Sequence, residues 1–362
     1  MVKRLISITG LLAALMSGVS FAQRGQTASE QEQWILGDYW AVVKKYQAGQ
    51  TAPAIKEMSS WPQDRIAKVQ ATQFQPEAAL DDLLMSKTEW KPASLRAAAM
   101  LHTEVGLAAV KRSALTLFQF HAGIADGWLN LADNRKPAIP GGLRSRWNVT
   151  VARVFLINSE FPAAEAFLER LNTKIANDPG VMLAFGTAKE SRAMRMTPDL
   201  QREREELRSA AASLFERALA IDATLVEARL RLARIALDRG DDAGAEKELA
   251  AVKQASKTPS HVYLVNLWLG QIRERQKNWN AAADLYVEAI KLLPDGQSAY
   301  VALADVLKAN GEPVQSAGVM DRWRSRAVTS VIADPLATYP LGLDTLLEAR
   351  FDAIVAEVKA MK

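Results

Sequence analysis

The chain of 362 residues has three histidines, His102, His121 and His261, and no cysteine. Imidazole chemistry is therefore sparse, and thiolate nucleophiles, thiolate metal sites and disulfides are excluded. In LHTEV, His102 stands two residues from Glu104, a spacing that points the two to different sides of a helix. A metal or acid–base site would need two helices. His102 and His121 meet if their helices pack antiparallel, with Glu104 or Asp126 nearby. No H-E-x-x-H, Walker loop or G-x-S-x-G is present. The pairs Asp81–Asp82 and Asp241–Asp242 fit helix starts, where capping oxygens and negative charge stabilise the first turn. His261 falls in a connector. The residue types thus predict no catalytic residue, no resident metal and no cofactor. An enzyme or a small-ligand or metal site around His102, Glu104 and His121 is the alternative reading.

Five of nine tryptophans (Trp34, Trp40, Trp61, Trp90 and Trp128) fall in the N-terminal third. Aromatics at that density line recognition grooves or pack between helices, and packing is the preferred reading. Basic residues number 45 and acidic residues 41. Without Lys3 and Arg4 the balance is 43 against 41, too even to predict a nucleic-acid partner. Those two residues open an expected secretory signal over residues 1–22. The apolar stretch LISITGLLAALMSGV follows, and Ser20 and Ala22 place small residues before a cut between Ala22 and Gln23. The expectation is a periplasmic or secreted protein with no stable membrane span after cleavage.

What must position any site is a set of helices, and their spacing repeats. LGQIRERQKNWNAAADLYVEAIKLLP, from Leu269 to Pro294, holds two short apolar stripes with a break between them. Neither stripe can bury itself alone. Leu269 to Leu303 is 34 residues, Ala211 to Ala245 is 34, and Ala245 to Ala282 is 37. Gly240 and Gly311 follow helical runs and suit left-handed C-terminal positions. Thr224 with Glu227 predicts a capping box. Val151-Ala152 and Phe185-Gly186 lie 34 apart, but Ala164 to Ala211 is 47. That excess places an insertion near residues 192–208, whose mixed charges predict a solvated helix.

Leu269, Gly270, Ala282, Tyr286 and Pro294 resemble the tetratricopeptide repeat, W-x2-L-G-x2-Y followed by A-x3-F and a closing proline. Asn266 and Arg273 depart from its Trp and Tyr. The resemblance is clearest over about residues 145–325 and implies an all-α, α-solenoid fold of helix–turn–helix repeats. The expected organisation is a signal at 1–22 and an N-terminal helical region with divergent repeat-like helices at 23–140. Repeats at 145–326 follow, then a connector and C-terminal capping helix at 327–362. NRKPAIPGG (134–142) and ADPLATYPLG (333–342) read as Pro/Gly-rich connections.

The resemblance also implies a scaffold that binds a protein or peptide partner in a concave groove lined by the first helix of each repeat. The corresponding positions are Leu230, Arg234 and Leu237; Leu267, Gln271 and Glu274; and Val301, Asp305 and Lys308. Leu230, Arg234 and Leu267 stand where some members clamp a terminal carboxylate, so that clamp is not expected. A mixed apolar and polar groove suits an amphipathic helix or an extended segment. The expected role is in envelope assembly or secretion.

Overall fold

The computed structural model describes residues 30–67, 91–110, 114–133, 139–174, 177–326, 334–341 and 347–361. The expected signal, Asp81–Asp82 and Trp90 lie outside them, as does the side chain of Trp34. Among the described residues the structure is all-α, as the periodicity predicts. Residues 1–139 with 355–362 form one compact unit and residues 140–354 a second.

The first unit contains α1 (Glu30–Gln47), α2 (Thr51–Ser59), α3 (Pro92–Val110) and α4 (Leu115–Asp133). Small apolar residues run all round α3, so it is buried on nearly every side from Ser94 to Val105. Gly106 approaches Phe118 while His102 approaches His121, so α3 and α4 run antiparallel. Trp40 and Trp128 are buried in an aromatic cluster with Tyr39, as the packing reading expects. Trp61 also meets Tyr39 edge-on, at 6.3 Å, and lies under the Arg65 guanidinium, 3.8 Å from ring centroid to cation.

The second unit is a run of helix pairs. These are α5 (Gly141–Ile157) with α6 (Phe161–Lys174), α7 (Pro179–Arg195) with α8 (Gln201–Ile221), and α9 (Val226–Arg239) with α10 (Asp242–Ala255). Then come α11 (Pro259–Arg275) with α12 (Trp279–Leu292), and α13 (Gln297–Ala309) with α14 (Pro313–Arg324). A short helix, α15 (Pro335–Thr338), passes into the 3-10 turn Tyr339–Leu341. The helix expected to cap the last repeat is α16 (Leu347–Ala360), whose residues from Val355 belong to the first unit.

Two of the pairs close on a glycine facing a large ring. A Cβ on Gly270 would lie 2.3 Å from the Tyr286 ring, so glycine is what lets α11 and α12 approach. Gly186 faces Phe215 in the same way between α7 and α8. Gly240 closes α9 at φ 77°, a left-handed conformation that costs other residues energy. The expected result for Gly270→Ala is a loss of about 1–3 kcal/mol, from overpacking against a ring with no room to move. Gly318, inside α14 with open space around it, should gain about 0.5–1 kcal/mol as alanine. Urea titration of the two variants should give midpoint shifts of opposite sign.

The extra residues before the third pair lie at the end of α7, in the 3-10 turn Pro198–Leu200 and in the first turns of α8, which has 21 residues against 14 in α10 and α12. Arg202 and Glu206 pair on its exposed side. Glu205 and Arg208 do more, since they reach Arg239 and Asp238 on α9 and tie the longer helix to the next pair. The capping box expected at Thr224 and Glu227 does not form. Thr224 bonds to Asp222 instead, and Glu227 is engaged by Arg231 one turn along α9.

Candidate partner-binding groove

The two buried histidines of the first unit do meet. His102 Nδ1 lies 2.8 Å from His121 Nδ1, and His102 Nε2 lies 3.0 Å from the Tyr39 hydroxyl. A nitrogen–nitrogen separation of 2.8 Å is a hydrogen bond. Two nitrogens on one tetrahedral zinc would stand about 3.3 Å apart. Glu104 does not join them: it accepts from the Tyr46 hydroxyl and pairs with Lys359. Among the described residues no group of three or more potential ligands is arranged to hold a metal. Burial pushes both imidazoles down, His121 to about 4 and His102 well below its usual value with His121 adding to the effect. The pair is a neutral, buried packing element.

The second unit carries its polar chemistry on the face made by the first helices. Arg231 of α9 is fully buried. Its Nη1 donates to Glu190 of α7 at 2.6 Å, and its Nε and Nη2 donate to Glu227 at 3.1 and 2.9 Å. Burial would weaken its hold on the proton, but Glu190 and then Glu227 overcome that and raise it above its ordinary value. Burial holds the Glu190 carboxyl above its ordinary value although Arg231, then Tyr339, pull it down, and at 2.6 Å the contact with Arg231 is that of an ion pair.

Across this face runs the chain's own segment 334–341. Asp334 accepts from the backbone N–H of Ser298, at the start of α13, at 2.6 Å. It also caps α15 by accepting from the N–H of Leu336. A carboxylate at two helix N-termini is favourable with both dipoles. Burial, then the Asp334 charge, push the neighbouring Tyr263 hydroxyl up. Leu336 packs on the apolar cluster of α9 to α13. Tyr339 is fully buried: its ring meets Trp268 of α11 edge-on at 5.3 Å and sits 4.7 Å from the Arg231 cation. The Tyr339 hydroxyl donates to Glu190 at 2.7 Å, and its carbonyl accepts from Arg231 at 3.1 Å. Ser191 donates to the carbonyl of Pro340. The segment therefore contacts α13, α11, α9 and α7 in turn, each the first helix of its pair and in reverse chain order.

A family model described as tetratricopeptide repeat matches residues 205–265. The chain carries tetratricopeptide repeats. Solved structures that resemble it include MamA MSR-1, 17% identical with a TM-score of 0.37, covering 50% of this chain and 95% of that one. A tetratricopeptide repeat protein from Parabacteroides merdae is 12% identical with a TM-score of 0.45, covering 73% and 93%. The human IFIT1 dimer with PPP-AAAA is 13% identical with a TM-score of 0.37, covering 81% and 72%. Among curated protein sequences none matches. The tetratricopeptide fold is a helical-repeat scaffold of the protein-binding kind.

The expected groove positions separate into three groups on the tetratricopeptide face. Leu230, Leu237 and Leu267 are buried and share one apolar cluster with Tyr339, which corrects their assignment to an open groove. Arg234 is partly buried and pairs with Asp238 at 3.0 Å, while its charge also reaches Glu190 and Tyr339. Gln271 is partly buried, and Glu274 turns to its own pair by accepting from the Tyr286 hydroxyl. Val301, Asp305 and Lys308 on α13 are exposed. Glu190, Ser191, Arg231, Trp268, Asp334 and Tyr339 were not anticipated. The sequence offered little signal for them, since Glu190 and Arg231 stand among other charged residues of α7 and α9, and Tyr339 stands between two prolines.

Proposed function

We propose that this chain is an exported scaffold whose tetratricopeptide face receives a segment of a protein partner, in the assembly or secretion of envelope components. The observation that carries the reading is segment 334–341, which lies on four successive first helices and is held by side chains and backbone carbonyls alike. That is how an extended or single-turn peptide is gripped. The near balance of charge favours a protein over a nucleic acid. Export rests on the pattern of residues 1–22, and among the described residues no helix is long and apolar enough to cross a membrane.

Two measurements test it. Protein recovered from an expressing bacterium should begin at Gln23 and fractionate outside the cytoplasm; intact Met1 in the cytosol overturns export. A photo-crosslinker at Val301, on the exposed part of α13, should capture a defined partner. One at Val287 on α12 should not, and Lys308→Glu should weaken the Val301 adduct several-fold. Equal capture at both positions counts against use of the first-helix face.

A further inference from the structure

We propose that the tetratricopeptide groove is closed in cis by residues 334–341 and opens to a partner segment of the same chemistry, an acidic residue followed five positions later by an unphosphorylated tyrosine. The inference rests on the groove reading and adds what the groove recognises and how it is regulated. The two ends of the segment supply its anchors. A carboxylate is needed at the start of α13, where Asp334 meets the N–H of Ser298 beside the Tyr263 hydroxyl. A tyrosine is needed over Arg231, because two features of its side chain are used, the ring by Arg231 and Trp268 and the hydroxyl by Glu190, while its backbone carbonyl accepts from Arg231 as any residue's could.

Phenylalanine would leave a Glu190 oxygen without its donor. A phosphate on the tyrosine would be driven against the Glu190 carboxylate, 2.7 Å from the hydroxyl, so phosphorylation blocks binding. Release of the segment is feasible because the Glu190–Arg231 pair it uncovers is ionic and is solvated by the water that enters. Occupation in cis acts as a high effective concentration that a partner segment must exceed.

The experiment uses a labelled peptide of sequence DPLATYPL and the full exported chain. An opened variant, Asp334→Ala with Tyr339→Ala, should bind the peptide at least tenfold more tightly than wild type. The peptide with its tyrosine replaced by alanine, or phosphorylated, should bind the opened variant at least tenfold more weakly. Adding Glu190→Gln should remove that discrimination against phosphate. A second arm avoids the loss of the segment's own packing. Because the chain has no cysteine, Leu336→Cys provides a single reporter, partly covered on the groove. Saturating peptide should raise its rate of thiol modification several-fold in an otherwise wild-type chain.

An unchanged rate, or no peptide binding to a folded opened variant, overturns the proposal. The scaffold reading then still stands if the Val301 adduct persists. A lost adduct with intact peptide binding separates the two in the other direction.

Discussion

Arg231→Met should lower the stability of the second unit by about 3–5 kcal/mol. The guanidinium is fully buried and spends all three nitrogens on Glu190, Glu227 and the Tyr339 carbonyl. Methionine fills much of the volume but leaves Glu190 buried without its ion-pair partner, with only the weaker influence of Arg234 remaining. Glu227 is better placed, since Arg153 remains 3.5 Å away. The cost is therefore mainly that of one stranded carboxylate, and it can be separated from lost packing. Adding Glu190→Gln keeps an acceptor for the Tyr339 hydroxyl but removes the charge, so the double variant should regain at least half of the loss.

The single variant should also show a stronger pH signature than wild type. Burial already holds the Glu190 carboxyl above its ordinary value with Arg231 in place, and losing Arg231 should push it further up. The folded state then keeps, over a wider pH range than in wild type, a proton that the unfolded state has released. That contribution is present at low pH and lost as pH rises, so the gap to wild type should narrow as the solution is acidified. Urea unfolding of the three proteins at several pH values checks it. Equal losses in single and double variants at every pH would show that the ion pair is not the cause.

How much of this was legible in the sequence follows from where each partner lies in the chain. The pairs could be read because their determinants are close and repeated: Gly270 meets Tyr286 sixteen residues on, and the alanines at 211, 245 and 282 keep the period. The meeting of His102 and His121 was legible for the same reason, being 19 residues apart on adjacent helices. What covers the first-helix face was not. Tyr339 reaches Glu190 across 149 residues, and no period links them. Its segment carries two prolines and a glycine after it, the composition of a connector.

The buried leucines at 230, 237 and 267 were misassigned because repeat register names positions on the first helices but does not separate those that enter the inter-helix core from those that stay open. Glu227 misled at shorter range. Three residues from Thr224 it fits a capping box, yet four residues from Arg231 it fits an ion pair, and the buried guanidinium is the stronger claimant.

Acidification from pH 7 to pH 5 should destabilise the first unit by about 2 kcal/mol through His121 alone, and the full loss should approach about 3 kcal/mol near pH 4. Burial holds the His121 imidazole down at about 4, whereas in the unfolded chain it titrates near about 6.5. Between those values the unfolded state binds a proton that the folded state refuses. Stability is therefore complete above about pH 6.5, falls as pH drops through the window, and levels off below about 4.

His102 is also pushed down, by burial and then by His121, and it extends the decline further toward acid. The hydrogen bond explains why the second proton is refused even more firmly than the first. With His102 Nδ1 at 2.8 Å from His121 Nδ1, one ring must accept, so the two cannot both be cationic. His121→Gln removes one titrating ring and should flatten the profile between pH 6.5 and 4, at the cost of a lower plateau at pH 7. Thermal unfolding of both proteins, followed by tryptophan fluorescence near Trp128, measures the slope directly. Parallel profiles for wild type and variant would show that the histidine pair is not what makes the unit acid-sensitive.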